Sequence, residues 1–316
     1  MFKTEIQSFN ASQKIILSHQ SGISAEILPE YGGALNSLII KTRNNTLENI
    51  IDGYTEADEP HSTGEFYKGV FLFPFPNRLK EGKWKNGDEE LSFPINEPAR
   101  NNALHGFLYN KKFEVMNHTS GVEFASLHLR YKPMVKPEYY PFDYQIDIEY
   151  FLTETDGLTI KTRVQNRGNE NLPFGMGWHP YFKTGSEINS LIMNVSHVKA
   201  LEVDGQMIPN GNKISYRLFE NPQTIGDTHL DTGFEIQKSE TSTIQLFDPE
   251  KKLKFYIWQK AGSEGYGYVQ IYTPPHRNSI AIEPMTSRAN ALQDKDGGLQ
   301  ILAPGSTQTF IWGIGF

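Results

Sequence analysis

The sequence predicts an all-β protein built as a large antiparallel β-sandwich. Apolar and polar residues alternate with a period of two in several stretches, which is typical of half-buried strands. No long segment shows the 3.6-residue apolar repeat of an amphipathic helix. Aromatic residues make up 12% of the 316 residues, a share that fits twisted sheets packed face to face.

The alternation is clearest in residues 124–131, 144–150 and 158–165, where one face of each strand is apolar and the other polar. A short helical turn is expected only near Tyr54 to Asp58. Turn-forming residues punctuate the strands, and they lie at 86–88, 156–157, 166–169 and 204–205.

The chain is predicted to form one domain over residues 1–316. No Ser/Gly-rich linker or block of charge divides it, and no repeat of 20 to 50 residues indicates a propeller or solenoid. The proline clusters at 73–76 and 273–275 lie among the polar motifs described below. They are therefore interpreted as rigid loops of one domain, because a single all-β domain of this length is ordinary.

Composition excludes several classes of function. The net charge is −7, with 37 acidic against 30 basic residues, and nucleic-acid binding requires a basic surface. With no cysteine, disulfides and thiolate metal sites are impossible. The start of the chain lacks the apolar core of a signal peptide, and no stretch has the roughly 20 apolar residues of a membrane span. We expect a cytoplasmic protein that binds neither nucleic acid nor membrane, a monomer or weak homodimer.

Two residues are candidates for acid–base chemistry. Glu283 ends the apolar run 279–283 and precedes Pro284, where the strand is expected to stop because proline cannot donate to a ladder. A partly buried carboxylate there becomes a stronger base. His179 lies between Trp178 and Pro180, in crowded surroundings that would hold its imidazole in place. Taken alone, Glu283 is equally compatible with a solvated glutamate at a strand edge, and a structural role is the favoured interpretation of an isolated His179.

Further polar candidates follow proline- or glycine-containing loops. His105 precedes Gly106, which permits close approach of the backbone. Arg78 follows two prolines that stiffen its loop, and its planar fork suits adjacent hydroxyls or a carboxylate. Asp231 is able to accept hydrogen bonds from a diol, although a turn-capping aspartate is the alternative.

Motifs of other enzyme classes are absent from the sequence. There is no H-E-x-x-H or H-x-H pair, so a zinc site is not expected. There is no G-x-S-x-G of an α/β-hydrolase, and no Walker or dinucleotide-binding loop. The segment 265–268 precedes a strand-like run and is interpreted as a turn.

The order of these motifs resembles that of the aldose 1-epimerase (galactose mutarotase) family. The resemblance runs through most of the chain, and each motif alone is modest while the ordered series is specific. The matching segments are residues 25–38, Pro76-Asn77-Arg78-Leu79, Leu104-His105-Gly106, His179-Pro180-Tyr181-Phe182, Leu230-Asp231 and Glu283-Pro284.

This resemblance implies a β-supersandwich with an open groove for a pyranose and no cofactor or metal. It implies that Glu283 is the general base, that His179 is the general acid, and that His105 lies near the ring oxygen. It also implies that Arg78 and Asp231 bind substrate. Asn77 and Trp178 are expected beside the sugar, with Phe107 as a second aromatic that lines the groove.

The expected reaction is interconversion of the α and β anomers of a free aldohexose such as galactose or glucose. The sequence departs from dedicated galactose enzymes at Phe107, Trp178 and Arg288, and is closer to the mutarotase-related branch. Two alternatives stay open. One is a hexose-6-phosphate 1-epimerase, for which Lys80, Lys83, Arg100 and Arg288 are candidate phosphate ligands. The other is a non-catalytic carbohydrate-binding protein.

Overall fold

The computed structural model describes residues 1–55, 67–195, 197–237, 239–262 and 265–316. Its strands pair antiparallel, and the largest sheet has nine of them. This sheet runs in the order β11 (Glu114–Ser120), β12 (Phe124–Tyr131), β13 (Tyr144–Thr153), β14 (Gly157–Asn166), β28 (Thr307–Gly315), β24 (Leu253–Lys260), β23 (Thr241–Asp248), β18 (Ile192–Val195) and β21 (Gln223–Thr224).

A second sheet of eight strands carries most of the polar motifs. Its order is β20 (Pro209–Ser215), β19 (Val198–Val203), β22 (Asp231–Ile236), β25 (Tyr268–Tyr272), β26 (Ile280–Met285), β16 (Gly177–Trp178) and β6 (Phe71–Leu72), with β17 (Tyr181–Phe182) also paired to β26.

The remaining strands form a five-stranded sheet and three short pairs. The sheet contains β1 (Phe2–Phe9), β2 (Ser12–His19), β3 (Ser24–Leu28), β4 (Ala34–Lys41) and β5 (Leu47–Asn49). The pairs are β7 (Arg78–Lys80) with β10 (Asn102–Leu104), β8 (Lys83–Asn86) with β9 (Glu89–Ser92), and β15 (Leu172–Phe174) with β27 (Gln300–Leu302). Short 3-10 helices span Pro98–Arg100, Ile188–Ser190 and Lys295–Gly297.

The all-β sandwich prediction is confirmed, and the period-two pattern explains which faces are buried. Leu127 and Ile148 of the nine-stranded sheet belong to the same buried cluster as Ile271 and Ile282 of the eight-stranded sheet. Ile271 and Ile282 are register partners, so they point to one face. The residues that alternate with them point to the opposite face, where the polar motifs collect.

One strand boundary was predicted wrongly. Strand β26 does not stop before Pro284 but continues to Met285. The amide N–H groups of Ile282 and Thr286 donate to the carbonyls of Pro180 and Met176, so the Pro284 nitrogen faces the interval between those bonds. The two strands that pair with β26 at this point, β16 and β17, are short and separate. The N–H that Pro284 lacks therefore leaves no gap in a continuous ladder. The helical turn expected near Tyr54 to Asp58 falls largely on residues outside those described.

Candidate active site

A row of side chains crosses the eight-stranded sheet and supports the candidate site. Glu283 of β26 pairs with Gln270 of β25, and Gln270 pairs with Gly233 of β22. On either side of His179, Gly177 is the register partner of Met285 and Tyr181 is the register partner of Ala281. His179 therefore lies opposite Glu283. Directly paired residues share a face of an antiparallel sheet. The row His179–Glu283–Gln270–Gly233, here called the transverse row, therefore lies on one surface.

A second row lies two residues further along each strand and shares that surface. It consists of Asp231, Tyr272, Ala281 and Tyr181. Loops near β7 and β10 stand over the two rows and close the other side. The result is a cleft of about 350 Å³, lined by Tyr67, Asn77, Arg78, Arg100, Leu104, His105, His179, Tyr181, Asp231, Gln270, Tyr272 and Glu283.

His179 and Glu283 form a buried pair at the bottom of this cleft. The Nε2 atom of His179 lies 3.4 Å from Oε1 of Glu283, and the two residues are only 5% and 2% exposed. Among the described residues, neither His179 Nδ1 nor Glu283 Oε2 has a hydrogen-bond partner. Buried polar atoms are almost always paired in folded proteins, so two unpaired polar atoms in one buried pair are unusual.

Burial disfavours charge on both members of the pair. It raises the pKa of the Glu283 carboxyl well above its usual value, and the charge of Asp231 adds to this effect while Arg78 opposes it. Burial also lowers the pKa of His179 to about 4. Both shifts disfavour charge in a site removed from water. Both shifts therefore favour two uncharged side chains over an ion pair of carboxylate and imidazolium.

His105 is fixed by Asn77. The Asn77 amide N–H donates to Nδ1 of His105 at 3.1 Å, and the His105 amide N–H donates to the Asn77 carbonyl at 2.9 Å. Because Nδ1 accepts, the neutral ring carries its proton on Nε2. Burial, with the charges of His179 and Arg78, lowers the pKa of His105 well below its usual value. His105 is thus a neutral donor at the cleft wall.

The predicted close approach at Gly106 is found. A Cβ atom at this residue would lie 2.1 Å from the carbonyl oxygen of Phe73, and the φ angle of Gly106 is +63°. Both the contact and the conformation exclude an ordinary side chain. The loop therefore packs directly on the 73–76 segment, which brings His105 against Asn77.

Aromatic rings hold both imidazoles in place. The Tyr181 ring stacks on His179 with a centroid separation of 5.0 Å, and the Tyr67 ring lies 4.6 Å from His105 and 6.1 Å from His179. The two imidazole rings are 5.2 Å apart and nearly perpendicular. Tyr67 was not predicted as a site residue, because nothing in its local sequence indicates that it meets loops 40 or 110 residues away.

Arg78 is held in the cleft by a carboxylate that the sequence analysis missed. Its Nε and Nη2 atoms donate to Glu97 at 3.0 Å in a two-pronged contact, and its Nη1 donates to Asn77 Oδ1 at 3.3 Å. Glu97 also accepts from Arg100 Nη1 at 3.0 Å and from Asn102 Nδ2 at 2.9 Å. Such a bidentate pair fixes the plane of the guanidinium.

Glu97 is ionised in this arrangement. Burial opposes its charge, but hydrogen bonds from Arg78 and Asn102 and the charges of Arg78 and Arg100 outweigh burial, so the pKa of Glu97 is lowered. The carboxylate of Asp231 lies 3.9 Å from Arg78 Nη2 and accepts from Gln270 Nε2 at 2.7 Å. The positive charges of Arg78 and Arg100 are therefore offset by the negative charges of Glu97 and Asp231.

The two aromatic residues expected to line the groove do not do so. Trp178 is fully buried, with its ring 5.3 Å from Phe71 and 5.8 Å from Trp312. Successive residues of an extended strand point to opposite faces, so Trp178 points into the core because His179 points into the cleft. Phe107 packs against Phe93 instead. The structure brings Glu283, His179, His105, Arg78, Asp231 and Asn77 together and leaves Trp178 out.

No group of three or more His, Cys, Asp or Glu side chains suited to a metal ion is found within the described part of the chain. None of the helices in that part is long and apolar enough to cross a membrane.

Comparison with solved structures gives the same fold. A galactose mutarotase-like protein from Clostridium acetobutylicum superposes with a TM-score of 0.86 at 23% identity, over 99% of this chain and 97% of the other. Galactose 1-epimerase from Lactobacillus acidophilus NCFM superposes with a TM-score of 0.78 at 17% identity, over 99% of both chains. At such identities the likeness shows the fold alone.

Comparison of amino-acid sequences adds a relative and a family model. The uncharacterised protein YihR of Escherichia coli K12 is 24% identical over 253 residues, which cover 77% of each chain. The family model described as Aldose 1-epimerase matches residues 13–312. This match spans nearly the whole chain, and the protein belongs to the aldose 1-epimerase family.

Proposed function

We propose that this protein is an aldose 1-epimerase that interconverts the anomers of an uncharged free aldose by general acid–base catalysis. The observation that carries the proposal is the buried His179–Glu283 pair, 3.4 Å apart on the floor of a polar cleft of sugar size. Positioned acids and bases each contribute about 10²- to 10⁴-fold to such proton transfers.

The reaction requires one proton to be redistributed within the pair. Glu283 as carboxylate takes the proton from the C1 hydroxyl, and His179 as imidazolium gives a proton to the ring oxygen. The C1–O5 bond breaks, and C1 becomes a carbonyl carbon. Rotation about C1–C2 exposes the other carbonyl face, and reversal of both transfers closes the ring. The neutral and ionic forms of the pair differ only in the position of one proton, so the change from one to the other does not alter net charge.

The other cleft residues have roles that follow from their hydrogen-bonding capacity. The Nε2–H of His105 is a neutral donor suited to the ring oxygen. Arg78 is held by Glu97 with its Nη2 edge near Asp231, so donor and acceptor stand side by side. Adjacent sugar hydroxyls, which donate and accept at once, match this arrangement.

The charge balance of the cleft favours a neutral sugar over a sugar phosphate. The positive charges of Arg78 and Arg100 are offset by Glu97, which both contact, and by Asp231. Arg288 is outside the set of residues that line this cleft and forms an ion pair with Asp294. A phosphate dianion would therefore meet no uncompensated cation among these residues and would lie near two carboxylates.

The test is an anomerisation assay by polarimetry or NMR exchange. Freshly dissolved α-glucose, α-galactose and α-glucose 6-phosphate would be compared at equal concentration, after subtraction of the spontaneous rate. We expect acceleration for at least one neutral sugar and a much lower kcat/KM for the phosphate. A higher kcat/KM for glucose 6-phosphate that disappears in Arg288→Ala would replace this proposal with the phosphate epimerase. Binding without acceleration of any sugar would make the protein a carbohydrate-binding relative.

The pH dependence of kcat/KM follows from the two shifted groups. The pair works when it holds one proton. As pH falls, a second proton binds His179, whose pKa is about 4, and activity is lost. As pH rises, the pair loses its last proton, and burial places this step well above the usual carboxyl value. We expect a bell-shaped profile from pH 3 to 10 with its acid limb near pH 4. An acid limb near 6.5 instead would mean that His179 titrates as an exposed histidine.

A further inference from the structure

A small niche opens from the cleft on the side of Gly233. It has a volume of about 20 Å³, which holds one group of the size of water or methyl. The residues that line both the niche and the cleft are polar, and they are Asn77, Arg78, Asp231 and Gln270. The residues that line the niche alone are mostly apolar, among them Leu201, Val203, Met207 and Met285. A group that enters from the cleft therefore passes a polar boundary before it reaches an apolar end.

The polar boundary offers one donor and one acceptor whose identities are fixed by their neighbours. Asn77 Oδ1 accepts from the amide N–H and the Nη1 of Arg78 at 2.9 and 3.3 Å, so the Asn77 side chain meets a ligand through its donor, Nδ2. Gln270 Nε2 donates to Asp231 at 2.7 Å, which makes Oε1 the acceptor. This oxygen points toward Gly233, because a Cβ atom at Gly233 would lie 3.1 Å from it.

The apolar end of the niche is left open by Gly233. A Cβ atom there would lie 3.4 Å from Leu201 Cδ1, and the backbone of Gly233 is not in the left-handed region. The conformation thus permits a side chain, and the absence of one leaves space. Arg288 also borders the niche, with Nη2 paired to Asp294 and with no hydrogen-bond partner for Nε among the described residues. Arg288 adds donors to the niche and no acceptor, which favours a ligand oxygen that accepts.

The wall of the niche is held rigidly. The turn that joins β19 to β20 is closed by Asp204, whose Oδ1 accepts from the amides of Gln206 and Ile208 at 2.8 and 3.0 Å. Gln206 docks this turn on the neighbouring loop, because its carbonyl accepts from Asn102 Nδ2 at 2.9 Å and its own Nε2 donates to the Arg100 carbonyl at 3.0 Å. The niche is therefore preformed.

The niche lies on the C2 side of a pyranose bound as proposed above. With the ring oxygen at His179 and His105 and C1 at Glu283, the next carbon, C2, continues along the transverse row. C2 therefore lies toward Gln270, while C5 and C6 lie beyond the ring oxygen and point away from the niche. Gly233 is one strand beyond Gln270, or about 4.8 Å. The methyl carbon of a trans acetamide lies about 3.8 Å from the carbon that bears its nitrogen, as successive Cα atoms do, so a 2-acetamido group reaches the niche.

We propose that the niche receives the methyl group of a 2-acetamido substituent, so that 2-acetamido-2-deoxyhexoses are the preferred substrates of the proposed anomerisation. The acetamide N–H donates to Gln270 Oε1, its carbonyl oxygen accepts from Asn77 Nδ2, and its methyl group contacts the apolar end. A hydroxyl group at C2 uses only the polar boundary and leaves the apolar end without a contact. An acetamido group matches both parts of the niche in the order in which a substituent at C2 meets them.

The inference rests on the proposed function but is tested separately by binding. Glucose, galactose and mannose would each be compared with the corresponding 2-acetamido-2-deoxy sugar. Dissociation constants come from calorimetry and kcat/KM from NMR exchange. In at least one pair we expect the acetamido sugar to be favoured about 10-fold or more in both quantities, the usual effect of one carbon group in an apolar pocket. Equal or weaker binding of all three acetamido sugars would overturn the inference.

The length of the acyl group tests the niche in the unaltered protein. For the preferred sugar, the N-formyl, N-acetyl and N-propionyl derivatives share the amide and differ only in their carbon groups. The N-acetyl sugar should bind best, because the formyl group leaves the apolar end unfilled and the propionyl group exceeds a space of one methyl. Equal affinity for the formyl and acetyl sugars would show that no methyl pocket exists.

A filled niche gives the decisive comparison. In Gly233→Ala the added methyl occupies the space, so the ratio of affinities between acetamido sugar and parent sugar should fall close to one. Gly205→Ala is the matched control, because a Cβ atom at Gly205 contacts nothing within 4 Å, and there the ratio should persist. A ratio that survives in folded Gly233→Ala contradicts the niche. An acetamido preference in binding without turnover supports the niche and contradicts only the proposed reaction.

Discussion

Glu283→Gln should lower kcat for anomerisation by about 10²- to 10⁴-fold and change sugar binding only a few-fold. The amide keeps the size of the buried side chain but cannot accept the proton of the C1 hydroxyl. Binding should persist because Arg78, Asp231 and His105, which carry the hydrogen bonds to the sugar in this proposal, are unaltered. NMR exchange rates and calorimetric dissociation constants measure the two effects. A folded Glu283→Gln protein with nearly wild-type turnover would refute the assignment of the base.

The free energy of unfolding of the Glu283→Gln protein provides a control for its loss of activity. Because the pKa of Glu283 is raised in the folded protein, its stabilising contribution is complete below the unfolded pKa and is lost as pH rises toward the folded one. Glutamine does not titrate. The free energy of unfolding of Glu283→Gln should therefore rise relative to wild type with increasing pH, by at most about 1.4 kcal/mol per pH unit. Denaturant unfolding from pH 5 to 9 measures this slope, and it separates lost chemistry from lost folding.

His179→Asn should produce the second large loss, again about 10²- to 10⁴-fold in kcat. Asparagine fits the space beside Tyr181 but cannot deliver a proton to the ring oxygen. The acid limb near pH 4, assigned to His179, should disappear from the pH profile of the residual activity. His105→Asn is the matched comparison, since it removes a neutral donor and should cost less. A larger loss in His105→Asn than in His179→Asn would reverse the two roles.

The strands could be predicted from the sequence because the alternation of apolar and polar residues is a local pattern. Alternation in residues 144–150 and 158–165 correctly predicted β13 and β14, since each residue's face depends only on its neighbours in the chain. The ordered motifs likewise brought Glu283, His179, His105, Arg78, Asp231 and Asn77 to attention. Their functional roles stay predictions, while their proximity in one cleft is a property of the structure.

What the sequence did not predict depends on contacts between distant segments. Glu97 looks like an ordinary loop glutamate until Arg78, Arg100 and Asn102 are found around it. Gln270 becomes a site residue only through its register with Glu283. Trp178 lies outside the cleft for a simpler reason: side chains alternate along an extended strand, and its neighbour His179 points into the cleft.

The transverse row also has a consequence for how such a site tolerates insertions and deletions. His179, Gly233, Gln270 and Glu283 are brought together only by strand register. Insertion or loss of one residue within any of these strands would rotate the following side chains to the opposite face. It would exchange a member of the cleft for a core residue. The loop that joins β25 to β26 carries no member of the row, so a change in its length leaves the register of both strands intact.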